Sequence, residues 1–290
     1  MWSRTQLRLQ QMSIELKRFN MKWIEFLPDE NKGPMIVLIG RRDTGKSFLV
    51  KDLLYHHQDI PIGTVISGTE AGNHFYENMV PPRFIYDEYD TSIIYRLMQR
   101  QKQVLNDMRT EAARTRRASQ FDPRAFLIMD DCLYDESWSR DKLVRMMFMN
   151  GRHWKLMVVI TMQYPLGIPP NLRSQIDYIF ILRETYISNK RRIYENYAGM
   201  FPTFDSFVQV MDQCTENFEC LVVHNNAKSN KLTDQVFWYK GEPRADYRMG
   251  SREFWEIGSL PEADKDDDLS EITGSRGAAK PKISVRKTAW

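Results

Sequence analysis

MIVLIGRRDTGKSFLVKDLLYHH, from Met35 to His57, decides how the chain is read. Five apolar residues run straight into Gly40, and after a short interval come Gly45, Lys46 and Ser47, ahead of an amphipathic run. The pattern is G-x-x-x-x-G-K-[ST]. A loop of this length can wrap a phosphate chain and point successive backbone N–H groups inward. Gly40 and Gly45 allow turns and a close approach that a Cβ would hinder. A helix starting near Lys46 aims the positive end of its dipole at the phosphates. Lys46 would then reach the β- and γ-phosphates and Ser47 would hold Mg²⁺. The candidate cradle is Gly40, Arg41, Arg42, Asp43, Thr44, Gly45, Lys46, Ser47 and Phe48. The competing reading is a chance match; a buried strand just before the loop and a helix just after it weigh against that.

Further along, AFLIMDDCLYDESW sets two acids at the end of a buried run. Parallel neighbours bring their C-terminal ends to one edge, where the phosphate loop lies. Asp130 suits orientation of Mg²⁺, and Asp131 suits polarising an attacking water. Glu is common at the second position of such pairs. Asp131 is one methylene shorter, so a base here acts through a water or from a shifted backbone; the alternative is that it only caps a turn. Asp135 and Glu136 precede a helical stretch and read as its caps. No NKxD guanine-reading sequence follows the loop, so ATP is the expected nucleotide. Gln163 ends the expected buried strand Leu156–Met162 and would project at the same edge, within reach of a γ-phosphate or a water. The alternative is an ordinary strand-end glutamine.

Working outward, short apolar runs alternate with helical stretches. Strands are expected at Met21–Phe26, Met35–Ile39, Thr64–Ser67, Phe84–Tyr86, Ala125–Met129, Leu156–Met162, Ile176–Leu182, Glu219–Val223 and Gln235–Tyr239. Helices are expected at Lys46–His57, Ser92–Arg117, Trp138–Asn150, Lys190–Ala198 and Phe204–Met211. This alternation indicates an α/β fold, a mostly parallel central sheet covered on both faces. The chain has 290 residues, a formal net charge of +3 and 42% hydrophobic residues, enough for one large core or two modest ones. No apolar run is long enough to span a bilayer, and the polar start WSRTQLRLQQ does not read as a secretory signal. Cys132, Cys214 and Cys220 cannot all pair internally and form no CxxC, which indicates reduced thiols. Residues 1–32 read as a lead-in, 33–257 as the ATPase domain and 258–290 as a mobile charged tail.

NGRHWKLMVVITMQYPLGIPPNLRSQIDYIFILRE, Asn150 to Glu184, carries a resemblance. The phosphate loop, the acidic pair, a Gly-Arg-His segment, a strand ending in T-x-Q-x-P and a P-P-x-L-R-S-x-x-D-Y run together resemble one family. It is the DNA-packaging ATPase of nucleocytoplasmic large DNA viruses, the poxvirus-type virion packaging ATPase. That family belongs to the FtsK/HerA superfamily of P-loop, RecA-like DNA-pumping motors. The resemblance spans Met35 to Tyr239. It implies ATP and Mg²⁺ as cofactors, Lys46 and Ser47 as the loop lysine and metal hydroxyl, Asp130 as the magnesium carboxylate, Asp131 as the catalytic acid and Gln163 as the sensor. Arg152 matches the position where related ring motors place an arginine finger, with Arg173 as a second candidate. A finger from a neighbouring subunit implies a ring, with six subunits the expected number.

A packaging motor must hold double-stranded DNA without reading its sequence, through Lys and Arg contacts to phosphates. The basic stretch Arg96–Arg117 is the candidate surface, and a solvated basic helix is the alternative. Lys280, Lys282, Arg286 and Lys287 could hold DNA or a capsid partner. The resemblance further implies capsid or portal-region partners and a viral assembly site in the host cytoplasm. Two other functions fit the motifs: a helicase-like P-loop ATPase, and a nucleotide-bound virion protein without catalysis.

Overall fold

The computed structural model describes residues 14–26, 33–132 and 137–259. Asp135, Glu136 and the basic positions from Lys280 onward lie outside the described residues.

The strands are β1 (Met35–Ile39), β2 (Ile62–Ser67), β3 (Ile85–Tyr86), β4 (Ala125–Asp130), β5 (Leu156–Met162), β6 (Tyr178–Ile181), β7 (Glu219–His224) and β8 (Val236–Lys240). Between them run α1 (Lys46–Tyr55), α2 (Glu70–Asn73), α3 (Thr91–Thr115), α4 (Ser137–Arg140), α5 (Lys142–Asn150), α6 (Pro170–Arg173), α7 (Ile187–Tyr197), α8 (Phe204–Cys214) and α9 (Leu232–Gln235), with α10 (Arg252–Gly258) last. One eight-stranded sheet results, in the order β3-β2-β4-β5-β1-β6-β7-β8. The first six strands of that order are parallel, and β7 pairs antiparallel with both β6 and β8. The expected mostly parallel α/β sheet is thus observed.

Every residue of β1, β2, β4, β5 and β6 is buried, which is why these strands are mostly apolar along their length and not alternating, with the buried polar residues Ser67, Asp130 and Thr161 near the C-terminal ends of β2, β4 and β5. From β1 the chain moves toward β2 on one side, whereas from β3 through β6 it moves back the other way. Right-handed crossovers therefore put α1 on one face and α3, α5 and α6 on the other.

The strand expected at Met21–Phe26 is not formed. Asn20 accepts from Lys22 N at 3.0 Å and winds Met21–Trp23 into a 3₁₀ turn. Extended pairing occurs earlier, where Arg18 bridges Trp238 in parallel. Phe19 then packs edge-on against Tyr178, Phe180, Phe237 and Tyr239. The expected single helix Trp138–Asn150 is broken at Asp141, whose carboxylate caps α5 through Leu143 N at 2.7 Å and also accepts from Tyr89 Oη at 2.7 Å.

Only the first half of α3 is anchored. Ile93, Ile94, Leu97, Met98, Gln101 and Val104 are buried, whereas Arg109, Arg114, Arg116 and Arg117 are exposed. At ~1.5 Å per residue the helix is about 37 Å long, longer than any strand beneath it. It leads from the C-terminal end of β3 to the N-terminal end of β4, so its basic turns lie toward the sheet edge away from the phosphate loop.

Candidate nucleotide-binding site

The loop leaves β1 between β5 and β6. Gly40 N donates to Met162 O at 3.0 Å, extending the β1–β5 ladder by one residue. A Cβ at Gly40 would lie 2.7 Å from Thr44 Oγ1 and 2.8 Å from Leu182 Cβ, so a side chain there would force the loop open. Thr44 Oγ1 donates to Arg41 O at 2.7 Å and tightens the turn. Asp43 (φ 62°) and Gly45 (φ 96°) take left-handed backbone, and no side chain caps the first turn of α1. The first N–H groups of α1 are thus left for a ligand, with the helix dipole behind them.

Lys46 folds back across the loop, its Nζ donating to Gly40 O at 2.8 Å and Arg41 O at 3.0 Å. Burial lowers its pKa, and the charges of Asp131 and Asp130 act against that shift. Ser47 and Phe48 are exposed at the helix start. Arg41 lies over the Tyr186 ring at 4.5 Å and donates to Thr185 Oγ1 at 2.6 Å, which holds the loop to the segment after β6.

Asp130 and Asp131 end β4, two strands from β1. Asp130 is buried and stands in register with Thr161 of β5. Thr161 Oγ1 donates to Asp130 Oδ1 and accepts from Asp131 N at 3.0 Å, so one hydroxyl holds both acids. Asp131 turns out of the strand at φ 49°, a conformation that costs a non-glycine residue free energy and is met at functional turns. Gln163 Nε2 donates to Asp131 Oδ2 at 2.6 Å. Burial raises the pKa of Asp130, with the Thr161 hydrogen bond as the main opposing influence.

The neighbouring edge of β2 adds two groups. Glu70 accepts through Oε1 from Tyr76 N at 2.8 Å and Glu77 N at 3.2 Å, while its buried Oε2 is unpaired. The Tyr76 hydroxyl is fully buried facing Asp130, without a well-formed hydrogen bond. No group of three or more His, Cys, Asp or Glu that could hold a metal ion occurs among the described residues. Asp130 and Ser47 offer one carboxylate and one hydroxyl, donors suited to a Mg²⁺ whose remaining ligands are phosphate oxygens and water.

Five of the expected site residues, Lys46, Ser47, Asp130, Asp131 and Gln163, gather at this edge. Arg152 does not. Arg152 lies on the 3₁₀ turn Gly151–Trp154 before β5, at the other end of the strand, about 23 Å away at the strand rise. It pairs with Asp177 at 3.0 Å and donates to Gln175 O. Arg173 donates from Nε to Ile168 O at 2.8 Å and from Nη1 to Asn196, and packs over Tyr197. Thr161, Glu70 and Tyr76 are functional candidates that the motifs alone did not single out. Thr161 had a visible signal as the threonine of T-x-Q.

A glycine loop on a buried strand, a lysine folded over it and paired acids on the same edge define a P-loop NTPase of α/β architecture. The chain belongs to a family of proteins from large DNA viruses. It is 40% identical over 222 residues to an uncharacterized protein of Acanthamoeba polyphaga mimivirus, covering 76% of this chain and 77% of that one. It is 39% identical over 230 residues to uncharacterized protein 075L of Invertebrate iridescent virus 6, covering 78% and 85%. No protein-family model matches the chain. Among solved structures, the pCW3 conjugation coupling protein TcpA, in its monomer form with ATPγS, superposes with a TM-score of 0.50 at 15% identity, over 79% of this chain and 70% of that one. The genome packaging NTPase B204 of Sulfolobus turreted icosahedral virus 2 gives 0.48 at 17% identity, over 72% and 98%. No helix among the described residues is long and apolar enough to cross a membrane.

Proposed function

We propose that this chain is an ATP-hydrolysing motor of the FtsK/HerA superfamily that moves double-stranded viral DNA into the capsid during virion assembly. The observation that carries the reading is the set Asp130, Thr161, Asp131 and Gln163, locked together on the sheet edge that also holds Lys46. A scaffold that only stored nucleotide would have no use for an acid held in left-handed backbone and oriented by a glutamine. The motif resemblance and the viral relatives support the packaging assignment.

In this reading the loop N–H groups and Lys46 bind the β- and γ-phosphates, exchanging the Lys46 contacts to Gly40 O and Arg41 O for phosphate oxygens. Ser47 and Asp130 would hold Mg²⁺, which neutralises charge on the phosphates when bound. Asp131 accepts a proton from, or orients, the water that attacks the γ-phosphate in line. Gln163 fixes the carboxylate of Asp131 and is placed to sense the γ-phosphate. Gain and loss of that phosphate would switch the sheet edge between two arrangements. The exposed arginines of α3 supply sequence-independent contacts to duplex phosphates. Copies would act as a ring, expected to be hexameric, with capsid or portal-region proteins as partners, at the assembly site in the host cytoplasm. Arg152 and Arg173 remain the finger candidates, and either would have to leave its internal partners to serve a neighbour.

The test is steady-state ATP hydrolysis by the full chain, alone and with linear duplex or single-stranded DNA, with Lys46→Ala as control. Stimulation by duplex, lost in the variant, is expected. Stimulation by single strands alone would favour a helicase-like machine. No hydrolysis under any condition would overturn the motor reading.

A further inference from the structure

The phosphate loop has two flanks. The acids lie on one, beyond β5, and β6 and β7 lie on the other. A nucleoside triphosphate whose γ-phosphate faces Asp131 and Gln163 must send its sugar and base toward the second flank.

That flank holds a cavity of about 430 Å³, between Arg42, Asp43 and Thr44 of the loop, Arg183 after β6, and Asn217 and Phe218 ahead of β7. The volume lies in the range that small-molecule sites occupy. Because β7 runs antiparallel to β6, its first residue returns to the edge where the loop stands. The turn is closed by Glu219 N donating to Glu216 O at 2.9 Å. Within it, two consecutive side-chain-bearing residues are left-handed, Asn217 at φ 52° and Phe218 at φ 64°. Asparagine tolerates such a conformation, but for a bulky aromatic like Phe218 it is a genuine outlier.

The strained turn does not bury its phenylalanine. Phe218 is 68% exposed. Its ring lies against the phosphate loop: a Cβ at Gly45 would sit 3.3 Å from Phe218 Cδ1. An aromatic ring is therefore held open to solvent, beside the place where a triphosphate chain would leave the loop. A nucleobase is the ligand part that such a surface takes, since every base offers a π-face and aromatic stacking desolvates both. Arg183 and Asn217 at the wall supply charge and hydrogen bonds suited to a ribose or to base edges.

We propose that Phe218 is the stacking platform for the base of a bound nucleoside triphosphate, and that this cavity is the nucleoside pocket. The inference rests on the nucleotide-binding reading above and is separable from it. Equilibrium binding of ATP and of inorganic tripolyphosphate, which has no base, would be measured on the full chain. Phe218→Ala is expected to weaken ATP binding roughly ten- to a hundredfold and to leave tripolyphosphate within about twofold, while Phe218→Tyr keeps ATP affinity. Lys46→Ala should weaken both ligands. If Phe218→Ala changes ATP and tripolyphosphate equally, or neither, while Lys46→Ala weakens both, the platform is overturned and the phosphate site stands. If the unaltered chain binds neither ligand, the platform and the nucleotide reading fall together.

Discussion

Gln163 Nε2 sits 2.6 Å from Asp131 Oδ2, joining the C-terminal ends of β5 and β4 through one hydrogen bond. The amide can donate only if its NH₂ faces the acid, which leaves its carbonyl oxygen directed elsewhere. The pair thus behaves as a unit. Asp131→Asn is expected to retain ATP affinity and lose turnover by about 10² or more. Gln163→Ala should lose a similar factor, and the double variant should be no slower than the slower single one. Single-turnover hydrolysis checks this; ordinary turnover by Asp131→Asn would remove the acid from the mechanism.

Thr161 tests the support beneath that pair. Thr161→Val keeps the shape and removes the hydroxyl that holds Asp130 and Asp131 N, leaving buried polar groups unpaired. A loss of about 1–3 kcal/mol in unfolding free energy is expected, along with slower hydrolysis. Thr161→Ser should restore most of both. Urea unfolding of the two variants decides, and an unchanged valine variant would show that the hydroxyl is dispensable.

Arg152 separates mooring from catalysis. Its partner Asp177 also accepts from Met35 N at 2.7 Å and pairs with Asn226, so the ion pair ties the start of β5 to the starts of β1 and β6. Arg152→Ala should cost about 1–3 kcal/mol, since it removes the cationic partner of a largely buried carboxylate that keeps its hydrogen bonds from Met35 N and Asn226. Replacing both residues should cost less than the sum of the single losses. A variant of full stability that is slow only in assembled rings would make Arg152 a finger and not a mooring.

His57 sets an acid limit on stability. It is 8% exposed, and burial pushes its imidazole down to about 4 from an ordinary 6.5. Below pH 6.5 the unfolded chain takes up this proton first, so stability falls between about 6.5 and 4 and levels off beneath. The loss from this group at pH 5 is about 2 kcal/mol. Unfolding midpoints at pH 7 and pH 5 should converge for His57→Gln relative to the unaltered chain. Equal acid sensitivity in both would mean the histidine is charged within the fold.

The basic end of α3 offers a thermodynamic signature. Neutralising Arg109, Arg114, Arg116 and Arg117 to Gln should weaken duplex binding equally across sequences. It should also flatten the plot of log affinity against log salt by about 0.9 for each DNA phosphate that the helix no longer neutralises. Binding titrations at several salt concentrations check it. An unchanged slope would return this helix to plain solvation.

Much of the fold was legible because its signals are local. Met35–Ile39, Ala125–Met129 and Leu156–Ile160 are apolar without interruption, as strands buried on both faces require. The loop is legible for the same reason, since spacing within eight residues fixes which groups can face a phosphate. What stayed hidden depends on register. Nothing in the sequence says that Asp130 stands beside Thr161, or that the end of β2 brings Tyr76 to that acid. The place of Arg152 was hidden for a related reason: it precedes a strand whose far end carries the candidate site, and distance along a sequence hides which end is which. Met21–Phe26 looked extended by composition, but the side chain of Asn20 offered the backbone a tighter turn. Asp141 similarly restarted a helix that periodicity ran through.

The margins of the sheet have a bearing on how copies of this chain can meet. At one margin β3 is two residues long and is flanked by the 3₁₀ turn Pro82–Phe84 and by α3. At the other, Arg18 pairs with Trp238, with Phe19 N and Lys17 O closing the open side of β8. Among the described residues neither border presents a long row of unclaimed backbone donors and acceptors, the feature through which strands of separate molecules fuse. Copies crowded together would therefore find little open strand edge through which their sheets could knit into one.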